Sequence, residues 1–149
     1  CSGAGAFESL RLEKGYRSLG SDIHTNTNPY ESGLGFTVKL KKDTDFIGKE
    51  ALSKIKEAPI QKKLACMVLD DSEGMALGTE PIYSDGKAVG YVTSTNYGYF
   101  VDKHIVYGYL PSELSSTGTK LELEYFGKRY PLTVTTEPLL DPENTRLKS

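Results

Sequence analysis

Beyond Pro59 the chain leaves little room for anything but strands. The segments 63–70, 80–83, 88–93, 99–101, 105–110, 120–126 and 129–135 alternate apolar and polar residues or run apolar outright, and each is followed by a turn signal. Two signals are especially strong, Ser84-Asp85-Gly86-Lys87 and Tyr125-Phe126-Gly127-Lys128, because a two-residue hairpin needs the positive φ that Asp-Gly or a loop glycine supplies. Closely spaced strands of this kind predict a small antiparallel Greek-key β-barrel or sandwich. Pro131 lies inside the last segment, so that strand is expected at an edge or a bulge.

The first sixty residues follow another pattern. Phe7 and Leu10 share a helical face, Glu8 and Arg11 can pair beside it, and Gly15 stands where a left-handed helix cap falls. The polar stretch 18–28 reads as a surface loop. Pro29 keeps Asn28 extended, glycines flank Leu34, and Phe36 to Leu40 alternate as a half-buried strand would. Leu52 and Ile55, with Ile47 and Ala51 a turn earlier, form an amphipathic helix that Pro59 ends. The main boundary falls near 58–61, dividing the chain into 1–60 and 61–149. The irregular tail from Glu137 onward is expected to be loose unless Leu139 and Leu140 pin it to the barrel.

At 149 residues the chain is one ordinary domain or two small ones. A net charge of −2 with mixed signs gives no field to steer nucleic acid, and no apolar run approaches the roughly 20 residues that span a bilayer. The start at Cys1 reads as a truncation point, without Met or a signal segment. Cys1 and Cys66 could form one bridge, but Cys66 in its apolar run is better read as a buried thiol, which favours a reducing interior.

Catalytic hardware is scarce. There is no nucleophile elbow, zinc motif or dinucleotide fingerprint; His24 and His104 lack ligand partners, and Gly48-Lys49-Glu50 is no phosphate loop. Asp70 and Asp71 point to opposite faces and read as a solvated turn. Ten tyrosines stand out. Tyr107 and Tyr109 share one sheet face and read as core, whereas Tyr97 and Tyr99 bracket Gly98 and are better placed for a pocket or interface.

The runs Ser9-Leu10-Arg11-Leu12-Glu13-Lys14-Gly15, Pro29-Tyr30-Glu31-Ser32-Gly33-Leu34-Gly35-Phe36 and Phe46-Ile47-Gly48-Lys49-Glu50-Ala51-Leu52 resemble the aminomethyltransferase (glycine cleavage T-protein) family. Glu13-Lys14-Gly15-Tyr16-Arg17, Asn96-Tyr97-Gly98-Tyr99 and the ending Asp141-Pro142-Glu143-Asn144-Thr145-Arg146-Leu147 resemble more closely the folate-binding half of dimethylglycine and sarcosine dehydrogenases and dimethylglycine oxidase. The resemblance spans nearly the whole chain but only the final part of the family. It implies an α+β fold, the end of an α/β folate-binding domain followed by the terminal barrel.

The resemblance further implies tetrahydrofolate as the cofactor and one-carbon transfer to form 5,10-methylenetetrahydrofolate. Phe36, Glu31, Arg11 and Tyr97 are the positions that match folate-site positions, and an Arg11–Glu31 pair fixing loop to helix is an equal alternative to ligand contact. The family's catalytic aspartate and the FAD-binding domain would both lie upstream of Cys1, so enzyme activity belongs to a longer protein and the upstream domains are the expected partners. A bacterial cytoplasm or a mitochondrial matrix is the expected setting, with neither nucleic acid nor membrane as partner. Two alternatives stand: a non-catalytic relative like the regulatory subunit of pyruvate dehydrogenase phosphatase, and a T-protein proper. Phe7, where T-proteins carry arginine, and the Tyr97-Gly98-Tyr99 loop lean against the latter.

Overall fold

The computed structural model describes residues 2–71 and 74–149, which leaves the pairing of Cys1 outside the described residues. Helix α1 (Ala4–Glu13) is followed by a run of turns, a 3₁₀ turn at Gly35–Thr37 and helix α2 (Lys49–Glu57). The strands are then β1 (Lys62–Leu69), β2 (Pro81–Ser84), β3 (Lys87–Gly98), β4 (Lys103–Pro111), β5 (Lys120–Tyr125) and β6 (Lys128–Thr135), with a short helix α3 (Thr145–Lys148) in the tail. All pairings between strands are antiparallel, and the sheet closes as β1-β4-β3-β2-β5-β6. The meander β2-β3-β4 with β1 laid beside β4 is the Greek-key arrangement, and closure leaves no free edge.

Both hairpin signals work as turn chemistry requires. Asp85 and Gly86 have φ of 49° and 74°, Phe126 and Gly127 have 48° and 75°, and the flanking residues Ser84–Lys87 and Tyr125–Lys128 pair. These are two-residue loops of the type I′ form, whose twist matches that of the strands. Pro131 is not on a sheet edge; it lies one residue beyond the last β1–β6 pair, Leu69–Leu132, where a missing N–H costs β1 nothing.

Two cores result. Met67, Ile82, Val92, Leu110, Leu123 and Leu132 are among those filling the barrel. A second core lies outside it, where Leu64, Cys66, Ile105, Tyr107 and Tyr109 meet Leu12 of α1, with Val101 and Leu139 packed against them. β1 is therefore buried on both faces, which accounts for its unbroken apolar run. Leu139 does pin the tail, and the Leu140 N–H adds a hydrogen bond to the Glu13 carbonyl at 2.9 Å.

Five local expectations are corrected. Residues 36–40 form no strand, because the six-stranded ladder is already closed without them. Residues 99–101 belong to the turn joining β3 to β4. Helix α1 buries Ser9, Arg11, Leu12 and Glu13, whereas Phe7 and Leu10 are 64% and 57% exposed. The loop 18–28 is not merely superficial, since Asp22 within it is fully buried. Of the stripe expected on helix α2, Leu52 and Ile55 are half-buried, Ala51 is exposed, and Ile47 lies fully exposed before the helix starts.

Cys66 is 1% exposed, and burial pushes its thiol up to about 12. At pH 8 the thiolate fraction is then on the order of one in ten thousand. Alkylation followed by peptide mass mapping should therefore leave Cys66 unmodified in the native chain and label it once guanidinium is added. Rapid native labelling would contradict the buried assignment.

Candidate functional site

Helix α1 ends in a Schellman turn. The Tyr16 N–H reaches the Arg11 carbonyl at 2.8 Å, the Gly15 N–H reaches that of Leu12 at 3.1 Å, and Gly15 takes φ of 75°. A side chain at Gly15 would crowd Pro138 and the Tyr107 hydroxyl, each 3.4 Å from the added carbon. The reversal delivers Arg17 to a point between two other segments. Its Nε donates to the Ser32 carbonyl at 3.0 Å, and its two terminal nitrogens donate to the Gly15 carbonyl and the Glu137 carboxylate. One guanidinium thus ties the helix end, the 28–37 loop and the tail together.

The 28–37 loop is built from short-range bonds. The Asn28 side-chain carbonyl accepts the Tyr30 and Glu31 N–H groups at 3.0 and 3.1 Å, and the Leu34 N–H reaches the Pro29 carbonyl at 2.7 Å. Gly33 has φ of 73°, and an added carbon there would lie 2.9 Å from the Arg17 guanidinium. The loop thereby closes against Arg17 and carries Phe36 outward, 72% exposed.

Opposite stands the tail. Lys14 Nζ donates to the Asp141 carbonyl at 2.6 Å, while the Asp141 carboxylate accepts the Thr145 N–H at 2.8 Å and the Thr145 hydroxyl at 2.7 Å. These bonds, the Thr145 hydroxyl first, hold the Asp141 carboxyl down at about 2. A carboxyl held low contributes stability in full above its ordinary value near 3.8 and loses it as the pH falls toward 2. Protection of the Thr145 amide from exchange should accordingly persist to pH 4 and collapse between there and pH 2. In Asp141→Ala it should be absent throughout; protection unchanged by that substitution would contradict the assignment.

Between helix end, loop and tail lies a cleft of about 590 Å³ whose lining includes Tyr16, Arg17, Leu34, Phe36, Glu137 and Pro138. Ligand sites usually fall between roughly 300 and 1,000 Å³. Its mouth offers a flat ring, its wall a satisfied ion pair. Among the described residues no group of three metal-ligating side chains occurs.

Of the four residues singled out from the sequence, Phe36 lines this cleft and the other three do not. Arg11 is 7% exposed; it pairs with Asp22 at 2.7 Å and Glu8 at 2.7 Å and donates to the Tyr16 carbonyl at 3.2 Å. Glu31 does not pair with Arg11. It accepts the Asn28 N–H at 3.1 Å and lines a separate groove with Lys62, Tyr91 and Tyr109. Tyr97 sits at the end of β3, its carbonyl accepting the Ser9 hydroxyl at 2.6 Å and its own hydroxyl donating to Asp102, a bond that raises the phenol's pKa. Arg17 and Glu137, which shape the cleft, were not singled out. Arg17 stands within the Glu13-Lys14-Gly15-Tyr16-Arg17 run, but the 120 residues separating it from Glu137 leave no local signal of the pair.

The model of the glycine cleavage T-protein C-terminal barrel domain matches residues 62–141, more than half of the chain, and that of the GCVT N-terminal domain matches residues 1–42. The chain is 40% identical over 148 residues to the mitochondrial dimethylglycine dehydrogenase of Rattus norvegicus, covering 98% of this chain and 17% of that protein. It is 35% identical over 154 residues to the mitochondrial sarcosine dehydrogenase of Homo sapiens, covering 99% of this chain and 17% of that protein. The crystal structure of the glycine cleavage system aminomethyltransferase T from Bartonella henselae superposes with a TM-score of 0.82 at 27% identity, covering 91% of this chain and 38% of that one. The chain thus spans about a sixth of the length of these dehydrogenases. With a closed Greek-key barrel behind a short helical region, and both family models matched in order, the chain belongs to the glycine cleavage T-protein family.

Proposed function

We propose that the Phe36 cleft is part of the wall of a tetrahydrofolate site, within the one-carbon-transfer module of a dimethylglycine or sarcosine dehydrogenase-type flavoenzyme that forms 5,10-methylenetetrahydrofolate. The observation that carries this reading is an exposed aromatic ring, fixed by a glycine-bracketed loop at the mouth of a cleft, in a family that binds tetrahydrofolate. The relation to dimethylglycine and sarcosine dehydrogenases supports the finer assignment. Phe7 supports it too: where T-proteins carry a cation, this chain presents an exposed ring.

Bound tetrahydrofolate supplies the nucleophilic nitrogens that take up the carbon unit. The residues of this chain supply a face for stacking, orientation and exclusion of water. No proton-transfer step is assigned to them, because Glu137, the acid of the cleft, is held by Arg17. The described strands pair only antiparallel and form no parallel βαβ unit of the dinucleotide-cradling kind, and in this reading FAD belongs to another domain of a longer protein. In a eukaryote the protein would work in the mitochondrion, as the named relatives do, and in a bacterium in the cytoplasm. No helix among the described residues is long and apolar enough to cross a membrane.

Phe36→Ala tests the reading. An exposed side chain can be cut with a folding cost within about 0.5 kcal/mol. Ring stacking is worth about 1–3 kcal/mol, which is roughly 5- to 150-fold in affinity. Calorimetric titration with folinic acid, a stable reduced folate, should show weak binding to the chain and a loss of at least fivefold in the variant. Equal binding would remove Phe36 from the site.

A further inference from the structure

Another cavity, of about 680 Å³, lies along α1 and shares no lining residue with the Phe36 cleft. Its walls include Ala6, Leu10, Tyr99 and Phe100, and its one charged lining residue is Glu13. Glu13 is 1% exposed and only half satisfied. Its Oε1 accepts the Phe100 N–H at 2.7 Å and the Val101 N–H at 3.2 Å, whereas its Oε2 has no hydrogen-bond partner among the described residues.

That imbalance has a physical cost. A buried carboxylate oxygen left without a donor forfeits the hydration it had in water, and a donor with positive charge would restore most of it. Among the described residues no cation pairs with Glu13: Arg11 is engaged by Glu8 and Asp22, and Lys14 by Asp141. The apolar side chains sharing the cavity, Leu10, Tyr99 and Phe100, are 57%, 78% and 60% exposed, so its wall is built largely of solvent-facing side chains. Aromatic faces also attract cations, and Phe100 already carries the Arg146 guanidinium 4.6 Å from its ring centre, in the neighbouring cavity.

We propose that this cavity is a binding site for a small organic cation, a primary ammonium or amidinium on a flat apolar body, with the Glu13 carboxylate as counter-ion. The body lies against Tyr99 and Phe100 in the space left by Gly5 and Ala6, and the cationic head donates to Oε2.

The test is an amide-resolved NMR titration of the 149-residue chain with benzylammonium and, as an uncharged match, benzyl alcohol. Benzylammonium should shift the Ala6, Tyr99 and Phe100 amides saturably and bind at least tenfold more tightly than the alcohol. Glu13→Gln keeps an acceptor for Phe100 and Val101, and should abolish the preference for the cation. Should that variant fail to fold, Ala6→Leu, a change on the exposed surface of α1, fills the cavity and should abolish binding of both probes with the fold intact. Phe36→Ala should leave benzylammonium binding unchanged, which separates this site from the folate reading. Equal affinity for the two probes, the absence of saturable shifts, or full binding by Ala6→Leu would overturn the proposal.

Discussion

Asp22→Ala is expected to destabilise the chain by about 3–5 kcal/mol, the usual consequence of removing one partner from a buried ion pair. Asp22 is fully buried and serves three segments at once. Its Oδ2 accepts Arg11 of α1 at 2.7 Å and the Ser18 N–H at 2.9 Å; its Oδ1 accepts the Thr93 hydroxyl of β3 at 2.5 Å. Thr93 reaches it because the β3–β4 register slips between Val92 and Ser94, a bulge that takes Thr93 out of the ladder. The Asp22 carbonyl also accepts the Tyr109 hydroxyl at 2.8 Å. Deleting the carboxylate leaves the Arg11 charge with the partly exposed Glu8 and the Tyr16 carbonyl. Against a total stability of about 5–15 kcal/mol, the loss would be plain in a urea titration, and docking of α1 should fail first. Asp22→Asn should fall between, since the amide can still accept from Thr93. A midpoint unchanged in Asp22→Ala would mean that the hub contributes nothing.

Gly90→Ala should cost about 3 kcal/mol or more, at the upper end for overpacking. A carbon added at Gly90 would lie 2.1 Å from the Tyr109 carbonyl oxygen, which is backbone and cannot swing aside. The neighbouring contact repeats the constraint, with Gly108 facing the Tyr91 carbonyl at 2.5 Å. Strands β3 and β4 pinch together here, and either substitution must force them apart. Gly5→Ala is the matched control: the added carbon meets nothing within 4 Å and the residue lies in α1, so a gain of about 0.5–1 kcal/mol is expected. Equal effects of the two substitutions in thermal unfolding would contradict the pinch.

What the sequence disclosed follows from the range of each interaction. Asp85-Gly86 and Phe126-Gly127 announce their hairpins because positive φ is a local demand, and Gly15 announces the end of α1 for the same reason. Closure of the barrel through β1–β4, β1–β6 and β2–β5 depends on pairings far apart in sequence, and no local pattern carries them. Phe36 to Leu40 alternate like a strand, yet with every ladder position filled the segment coils into a 3₁₀ turn at Gly35–Thr37. Propensity yielded there to tertiary saturation. Asp22 was hidden for a different reason. It lies in the mostly polar stretch 18–28, and only the fold reveals that Arg11 and Thr93 converge on it. Phe36 entered the candidate site through the resemblance, since a lone exposed ring in a loop has no periodicity to betray it.

The proposed folate site requires that the face carrying Phe36 meet the ligand. Mapping by NMR which amides of the chain respond to folinic acid tests it most directly. Shifts are expected at Gly33, Leu34, Gly35 and Phe36 and along the tail at 137–144, all reduced in Phe36→Ala. Shifts confined to other surfaces, or a pattern indifferent to Phe36, would contradict it.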